Sequence, residues 1–144
     1  MLIVDDDPEI LDYLSELSQD TGYVTVTAHN GMDGFKAVAV FQHSRPHIVL
    51  TDIKMPCKDG IAVLKEIKSA SPETEVIMIS GHGDMHLAIQ SLKHDAADFI
   101  TKPIDEELLE IALYKVSERI RLRRQVREHT ENLEALVREK SARL

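Results

Sequence analysis

Four short segments of this chain run apolar and then end in a residue suited to a phosphate or a metal ion. They are Leu2-Ile3-Val4-Asp5-Asp6, Ile48-Val49-Leu50-Thr51-Asp52, Val76-Ile77-Met78-Ile79-Ser80 and Phe99-Ile100-Thr101-Lys102-Pro103. Asp5, Asp6 and Asp52, brought together, would crowd three carboxylates, which is costly unless protons or a divalent cation compensate them. Oxygen donors with no Cys or His beside them favour a hard ion, Mg²⁺ ahead of Mn²⁺ or Ca²⁺. Lys102 supplies a point charge for a carboxylate or phosphoryl oxygen, and Ser80 a hydroxyl donor. Gly81 leaves open space beside Ser80, with a main-chain N–H that can face an anion. A carboxylate nucleophile, Mg²⁺, a Lys and a hydroxyl together describe phosphoryl transfer to an aspartate.

These groups work as a site only if the chain brings the segment ends together. Each segment is short and apolar or β-branched, which predicts a parallel strand buried on both faces. A fifth, Val24-Thr25-Val26-Thr27-Ala28, has the strand pattern without the polar ending. In an open α/β sheet, ligands gather beyond the carboxyl ends of parallel strands, so Asp5, Asp6, Asp52, Ser80 and Lys102 are expected on one rim.

Helix signals separate the strands. Asp7-Pro8 supplies an N-cap and a first-position Pro, followed by Ile10, Leu11, Leu14 and Leu17 on one face. Asn30-Gly31 turns the chain before Phe35, Val38, Ala39 and Phe41. Met55-Pro56 and Asp59-Gly60 precede Val63, Leu64 and Ile67, and Ser71-Pro72 breaks that helix. Asp84 is the expected N-cap of a helix carrying Leu87, Ala88 and Leu92. Asp105-Glu106-Glu107 suits the positive end of a last helix. Strands alternating with helices predict βαβ crossovers: an α/β, doubly wound, five-stranded parallel sheet with helices on both faces.

The chain has 144 residues, enough for one domain with an appendage, and its 43% apolar content suffices for a core. Charge is uneven: residues 1–109 carry 8 Lys and Arg against 19 Asp and Glu, and residues 110–144 carry 9 against 6. An acidic body argues against nucleic-acid binding. Arg119, Arg121, Arg123, Arg124 and Arg127 are expected on the solvated face of a long helix. No apolar run is long enough to cross a bilayer, and Met1 leads into a strand without a basic leader, so no membrane contact and a cytoplasmic location are expected. Cys57 is a lone cysteine and offers neither a disulfide framework nor a thiolate cage. The histidines are scattered, with His82 and His86 at i, i+4, and are expected to be surface residues; His82 stands two residues beyond Ser80, where it would shade a phosphate.

No Gly or Pro follows Pro103. Leu109, Ala112, Leu113, Val116 and Ile120 form a stripe that can pack on a sheet. Val126, Leu133, Val137 and Leu144 then lie near a 3.5-residue seam, with Arg123, Thr130 and Lys140 at its weak positions. The expected organisation is a domain over 1–120 and a helical linker over 121–144 that opens a dimeric coiled coil, making a homodimer through this helix.

Val4-Asp5-Asp6-Asp7, Asp52-Ile53-Lys54-Met55-Pro56 with Asp59-Gly60, Ser80-Gly81-His82-Gly83-Asp84, and Ala97-Asp98-Phe99-Ile100-Thr101-Lys102-Pro103 together resemble a bacterial response-regulator receiver domain, over residues 1 to about 120. The resemblance implies a flavodoxin-like fold with strand order 2-1-3-4-5. It implies that Asp52 accepts a phosphoryl group from a sensor histidine kinase or phosphotransfer domain, and that an output domain reads the resulting change. It also implies that Asp6, Asp52 and the Lys54 carbonyl hold Mg²⁺, with Asp5 acting through water. Ser80 and Lys102 would hold the phosphoryl oxygens, Phe99 would take the aromatic switch position, and the bond before Pro103 would be cis. Asp95 departs from the family, which favours Gly there for a left-handed backbone.

A competing reading is a haloacid-dehalogenase-like, Mg²⁺-dependent phosphohydrolase with Asp5 as nucleophile. Asp5 and Asp7 fit the first half of its Asp-x-Asp-x-Thr/Val pattern, but Glu9 holds the Thr/Val place, Pro8 intervenes, and the chain lacks room for a cap. A flavin-binding flavodoxin is disfavoured because three aspartates after the first strand would repel the phosphate.

Overall fold

The computed structural model describes residues 1–20, 22–29, 47–54, 60–81 and 83–143, with side chains described through residue 139. Five strands are present among the described residues: β1 (Leu2–Val4), β2 (Val26–Ala28), β3 (Ile48–Asp52), β4 (Glu75–Ser80) and β5 (Asp98–Thr101). The described helices are α1 (Pro8–Asp20), α2 (Gly60–Ala70), α3 (Met85–Lys93) and α4 (Glu106–Arg143). The expected helix around Phe35 to Phe41, and the loop through Met55, Pro56, Cys57 and Asp59, lie outside the described residues, as do His43 and His82.

All strand pairings are parallel and the order is β2-β1-β3-β4-β5. Chain direction across the sheet reverses after β2. Right-handed crossovers therefore put α1 on one face and α2 and α3 on the other. The register places Val4 beside Thr51, Asp52 beside Ile79, and Ser80 beside Thr101. Successive strand ends thus reach the same rim.

Expectation and structure differ at the sheet edges. Every residue of β1, β3 and β4 is buried, as strands covered on both faces must be. Edge strand β2 exposes Val26 and Thr27, and edge strand β5 is buried only at Ile100. Val24, read as part of the second strand, lies before it and is 84% exposed. β1 ends at Val4: Asp5 still donates its N–H to Ala28 O, but its carboxylate already accepts a hydrogen bond from the Asp7 N–H in the turn into α1.

The face under α2 and α3 holds Leu2, Val4, Val49, Val76 and Met78, packed with Val63, Leu64, Ile67 and Ala88. Each fully buried aliphatic side chain of this kind contributes roughly 2 kcal/mol. Ile3, Leu50, Ile77 and Ile79 alternate to the opposite face and are equally buried. Caps fix where helices begin. The Asp7 carboxylate accepts from the Glu9 N–H at 3.0 Å, and Asp105 accepts from Glu107 at 2.9 Å and Leu108 at 3.3 Å. The described histidines, His29, His47, His86, His94 and His129, are all exposed, as expected.

The chain divides into two compact units, Met1–Ala112 and Leu113–Leu144. The second unit is helical through Arg143, and every residue from Arg121 to Glu139 is exposed. The arginines at 119, 121, 123, 124 and 127 lie on this solvated surface, and Arg121 pairs with Glu118 at 2.8 Å.

Asp95 takes φ +69° at the end of the turn after α3. A side chain in the left-handed region is strained, and Gly relieves that strain. Asp95→Gly is expected to raise stability by about 0.5–1 kcal/mol, read as a higher urea midpoint with unchanged slope, whereas Asp95→Val should lower the midpoint.

Candidate functional site

Parallel register brings the polar strand endings together. Asp5 and Asp6 follow β1, Asp52 ends β3, Ser80 ends β4 and Lys102 follows β5. The Asp5 main-chain N–H donates to Ala28 O, Ile53 N–H to Ile79 O, and Lys102 N–H to Ser80 O at 2.8 Å, so the ladder continues to the edge of the site. The peptide bond from Lys102 to Pro103 is cis, as the resemblance implies.

Lys102 Nζ sits between two carboxylates. It donates to Asp52 Oδ2 at 3.0 Å and stands 3.4 Å from Asp5 Oδ2. Asp5 is fully buried and Asp52 nearly so. The second Asp5 oxygen accepts from Asp7 N–H at 2.9 Å, and the second Asp52 oxygen faces the Lys54 N–H at 3.4 Å. Burial pushes the Asp5 carboxyl up to about 6, and the charge of Asp52 adds to this against the pull of Asp7 and Lys102. Burial also raises Asp52, opposed by the hydrogen bond and charge of Lys102. Lys102 is pushed down by burial, but its hydrogen bond and charge interactions with Asp52 and Asp5 outweigh that and raise it.

Asp5, Asp6 and Asp52 offer carboxylate oxygens that lie within 4.8 Å of one another. Asp5 Oδ2 is buried with no hydrogen-bond partner among the described residues, although Lys102 lies nearby. Ser80 Oγ is likewise buried and unpartnered among the described residues. Such atoms are costly unless a ligand or ion engages them. An all-oxygen cluster of this kind suits a hard divalent cation, and these residues fit Mg²⁺. Phe99, opposite Met78 in the register, is half-buried against the core.

Two features escape a reading of residue types. Gly60 donates its N–H to Ile53 O at 2.6 Å, and a Cβ there would run into the Asp52 carbonyl oxygen and the Ile53 Cα. Asp59-Gly60 signals a turn in the sequence, but the need for Gly comes from this long-range approach to the strand carrying Asp52. Asp84 occupies the expected N-cap position of α3, yet its side chain makes no capping hydrogen bond. Its carboxylate pairs instead with Lys54 Nζ at 2.8 Å, and that hydrogen bond holds it below the usual carboxylate range. Neither residue's spacing announces that pair.

The raised Asp5 carboxyl sets a pH dependence. A carboxyl that titrates near 6 when folded, against an ordinary 3.8, binds its proton more tightly in the folded state. Its contribution to stability is full at low pH and is lost as pH rises through about 6. The metal-free protein is therefore expected to lose melting temperature between roughly pH 4 and pH 7, and millimolar Mg²⁺ should restore it at pH 7 but not at pH 4. Scanning calorimetry at matched ionic strength checks this; a melting temperature that is flat or rising over that interval, or an equal Mg²⁺ effect at both ends, contradicts it.

Comparison with known proteins agrees with this geometry. The family model for the response regulator receiver domain matches residues 1–114. Nitrogen assimilation regulatory protein NtrX of Azorhizobium caulinodans is 39% identical over 130 residues, covering 89% of this chain and 28% of that protein. The DNA-binding transcriptional regulator NtrC of Escherichia coli is 35% identical over 103 residues, covering 72% of this chain and 21% of that one. The crystal structure of a response regulator receiver domain protein from Clostridium thermocellum matches with a TM-score of 0.79 at 33% identity, covering 84% of this chain and 95% of that chain. The crystal structure of NtrX from Brucella abortus matches with a TM-score of 0.79 at 35% identity, covering 88% and 28%. The chain spans less than a third of the length of these curated relatives. With its 2-1-3-4-5 sheet and its acidic rim closed by Lys102, the chain belongs to the response regulator receiver domain family, the phosphorylation-activated switch of two-component systems.

Proposed function

We propose that Asp52 is the phosphoacceptor and that Lys102, Ser80 and the acidic pair Asp5 and Asp6 serve it. The observation that carries this reading is the placement of Asp52 at the end of β3 with one oxygen held by Lys102 Nζ at 3.0 Å. In the transfer, an Asp52 oxygen forms the new O–P bond as the N–P bond of a partner's phosphohistidine breaks, and the imidazole leaves with the electron pair and takes up a proton. Lys102 balances charge on the phosphoryl oxygens, and Ser80 supplies a hydroxyl that is buried and without a partner among the described residues. Asp5, Asp6, Asp52 and the Lys54 carbonyl are the groups that would hold Mg²⁺, whose charge makes it possible for an anionic phosphoryl group to approach carboxylates. No observation favours Asp5 as a nucleophile: one of its oxygens is engaged by the Asp7 N–H and the whole residue is buried.

The partner is a sensor histidine kinase or phosphotransfer domain, and the expected setting is the cytoplasm; no helix among the described residues is long and apolar enough to cross a membrane. Ser80 ends β4 and Phe99 lies in the neighbouring β5, so a shift of Ser80 toward the phosphoryl group opens space for Phe99. The proposed organisation keeps a receiver over 1–120 and a linker over 121–144. Leu122, Val126, Leu133, Leu136 and Val137 are exposed along that linker, which supports pairing of this helix between two copies.

Incubation with Mg²⁺ and acetyl phosphate should add one phosphoryl group at Asp52, detected by mass spectrometry. Asp52→Asn should abolish it and EDTA should suppress it. Asp5→Asn should slow labelling while leaving it on Asp52. Undiminished labelling of Asp52→Asn would sink the assignment.

Phosphorylation biases an existing equilibrium by its differential interaction with two states. The beryllofluoride-loaded chain should therefore show a changed dimerisation constant in sedimentation, and cutting after Ile120 should remove that response. An identical response in both forms would move the dimer surface onto the globular unit.

A further inference from the structure

Asp84 stands where a carboxylate ordinarily caps the helix that follows, but it is used otherwise. α3 begins at Met85, and the Asp84 main chain has φ −99° and ψ 18° with no side-chain capping bond. Asp84 Oδ1 meets Lys54 Nζ at 2.8 Å, with the Asp84 side chain 5% exposed and the Lys54 side chain 68% exposed. The Asp84 N–H donates to Gly81 O at 3.3 Å, closing the turn after Ser80. Asp84 Oδ2 lies over Gly81, so close that a Cβ on that residue would sit 3.2 Å from it.

The ion pair therefore ties together two loops that both touch the site. Lys54 lies two residues beyond Asp52 and turns its N–H toward Asp52 Oδ1 at 3.4 Å. Asp84 lies four residues beyond Ser80, whose hydroxyl has no partner among the described residues. With Oδ1 on Lys54 and Oδ2 over Gly81, the Asp84 carboxylate is turned across the site, and α3 begins without a side-chain cap.

We propose that Asp84 is a positioning residue with two alternative partners. Paired with Lys54, it holds the turn between β4 and α3 in the arrangement seen here; released, it caps α3 while Ser80 moves toward a phosphoryl group on Asp52. The inference rests on the reading of Asp52 as phosphoacceptor. Its energetic content is that the site trades one partly exposed ion pair for one helix cap, two interactions of similar size. The equilibrium between the two arrangements is therefore close to balanced, which a small input can tip.

Asn separates the two partners, since it caps a helix as well as Asp does but cannot pair with an ammonium. The test is calorimetric titration of Mg²⁺-loaded full-length chain with beryllofluoride. Asp84→Asn and Lys54→Met should each bind about threefold to fivefold more tightly than wild type, the range one partly exposed ion pair allows. The double variant should gain nothing beyond either single one. Asp84→Ala, which loses pair and cap together, should show no such gain. In the wild type, amide exchange at His86 and Leu87 should slow when beryllofluoride binds. A pair that merely braces the fold would weaken binding in all these variants, and that result overturns the proposal, as does equal tightening in Asp84→Ala and Asp84→Asn. Wild-type protein that fails to bind beryllofluoride, or binding that survives Asp52→Asn, removes the Asp52 reading and this inference with it.

Discussion

Carboxylates that repel one another are held at one rim by the sheet, and the ammonium of Lys102 makes that tolerable. Two of the three are buried, and Lys102 reaches both, at 3.0 Å and 3.4 Å. Water cannot relieve the charge of a buried carboxylate, so the cost falls on proton uptake, on a cation, or on both. Burial pushing Asp5 up to about 6 expresses the first outlet, and the lysine and a divalent ion are the second. The parallel register is what leaves no other arrangement: each strand end is fixed by its neighbours' ladder, so the carboxylates cannot part without breaking main-chain hydrogen bonds.

That constraint explains why so much of the surrounding chain is concerned with exact main-chain placement. Gly60 lies so close to the Asp52 carbonyl that no side chain fits, and its N–H is spent on Ile53. Asp7 caps α1 and also donates its N–H to Asp5, so the start of the helix and the orientation of the buried carboxylate are set by one residue. Ser80 is the exception. Its hydroxyl is buried and left without a partner among the described residues, a local cost that the proposed contact with a phosphoryl group would relieve.

Much of this was legible in residue order, for physical reasons. Strands covered on both faces must be continuously apolar, so β1, β3 and β4 announce themselves, and the residue that ends each must lie at the rim. Caps such as Asp7 and Asp105 are local, and local chemistry is readable. The edges were less legible: β2 needs only one buried residue, Ala28, so its pattern looks like its neighbours' without their burial. Asp84 illustrates the harder limit. Its type and position predict a cap correctly as to place, but a partner thirty residues earlier in the chain takes the carboxylate, and no local rule anticipates that. Gly60 is similar, since its necessity comes from a strand eight residues away in sequence that folds back against it.

The long helix poses a different physical problem. At 1.5 Å per residue its 38 residues extend about 57 Å. From Arg121 to Glu139 every side chain is exposed, so that stretch lacks the burial that stabilises most helices in proteins. Short-range pairs such as Glu118 with Arg121, both in solvent, add little. A helix held by propensity and such pairs alone is marginal, and its exposed Leu122, Val126, Leu133, Leu136 and Val137 carry an apolar cost in water that burial against another helix would recover. In the proposed pairing between two copies, such marginality would suit a transmitter. A segment whose pairing is worth little more than its ordering cost responds to small biases, whereas a strongly paired rod would ignore them.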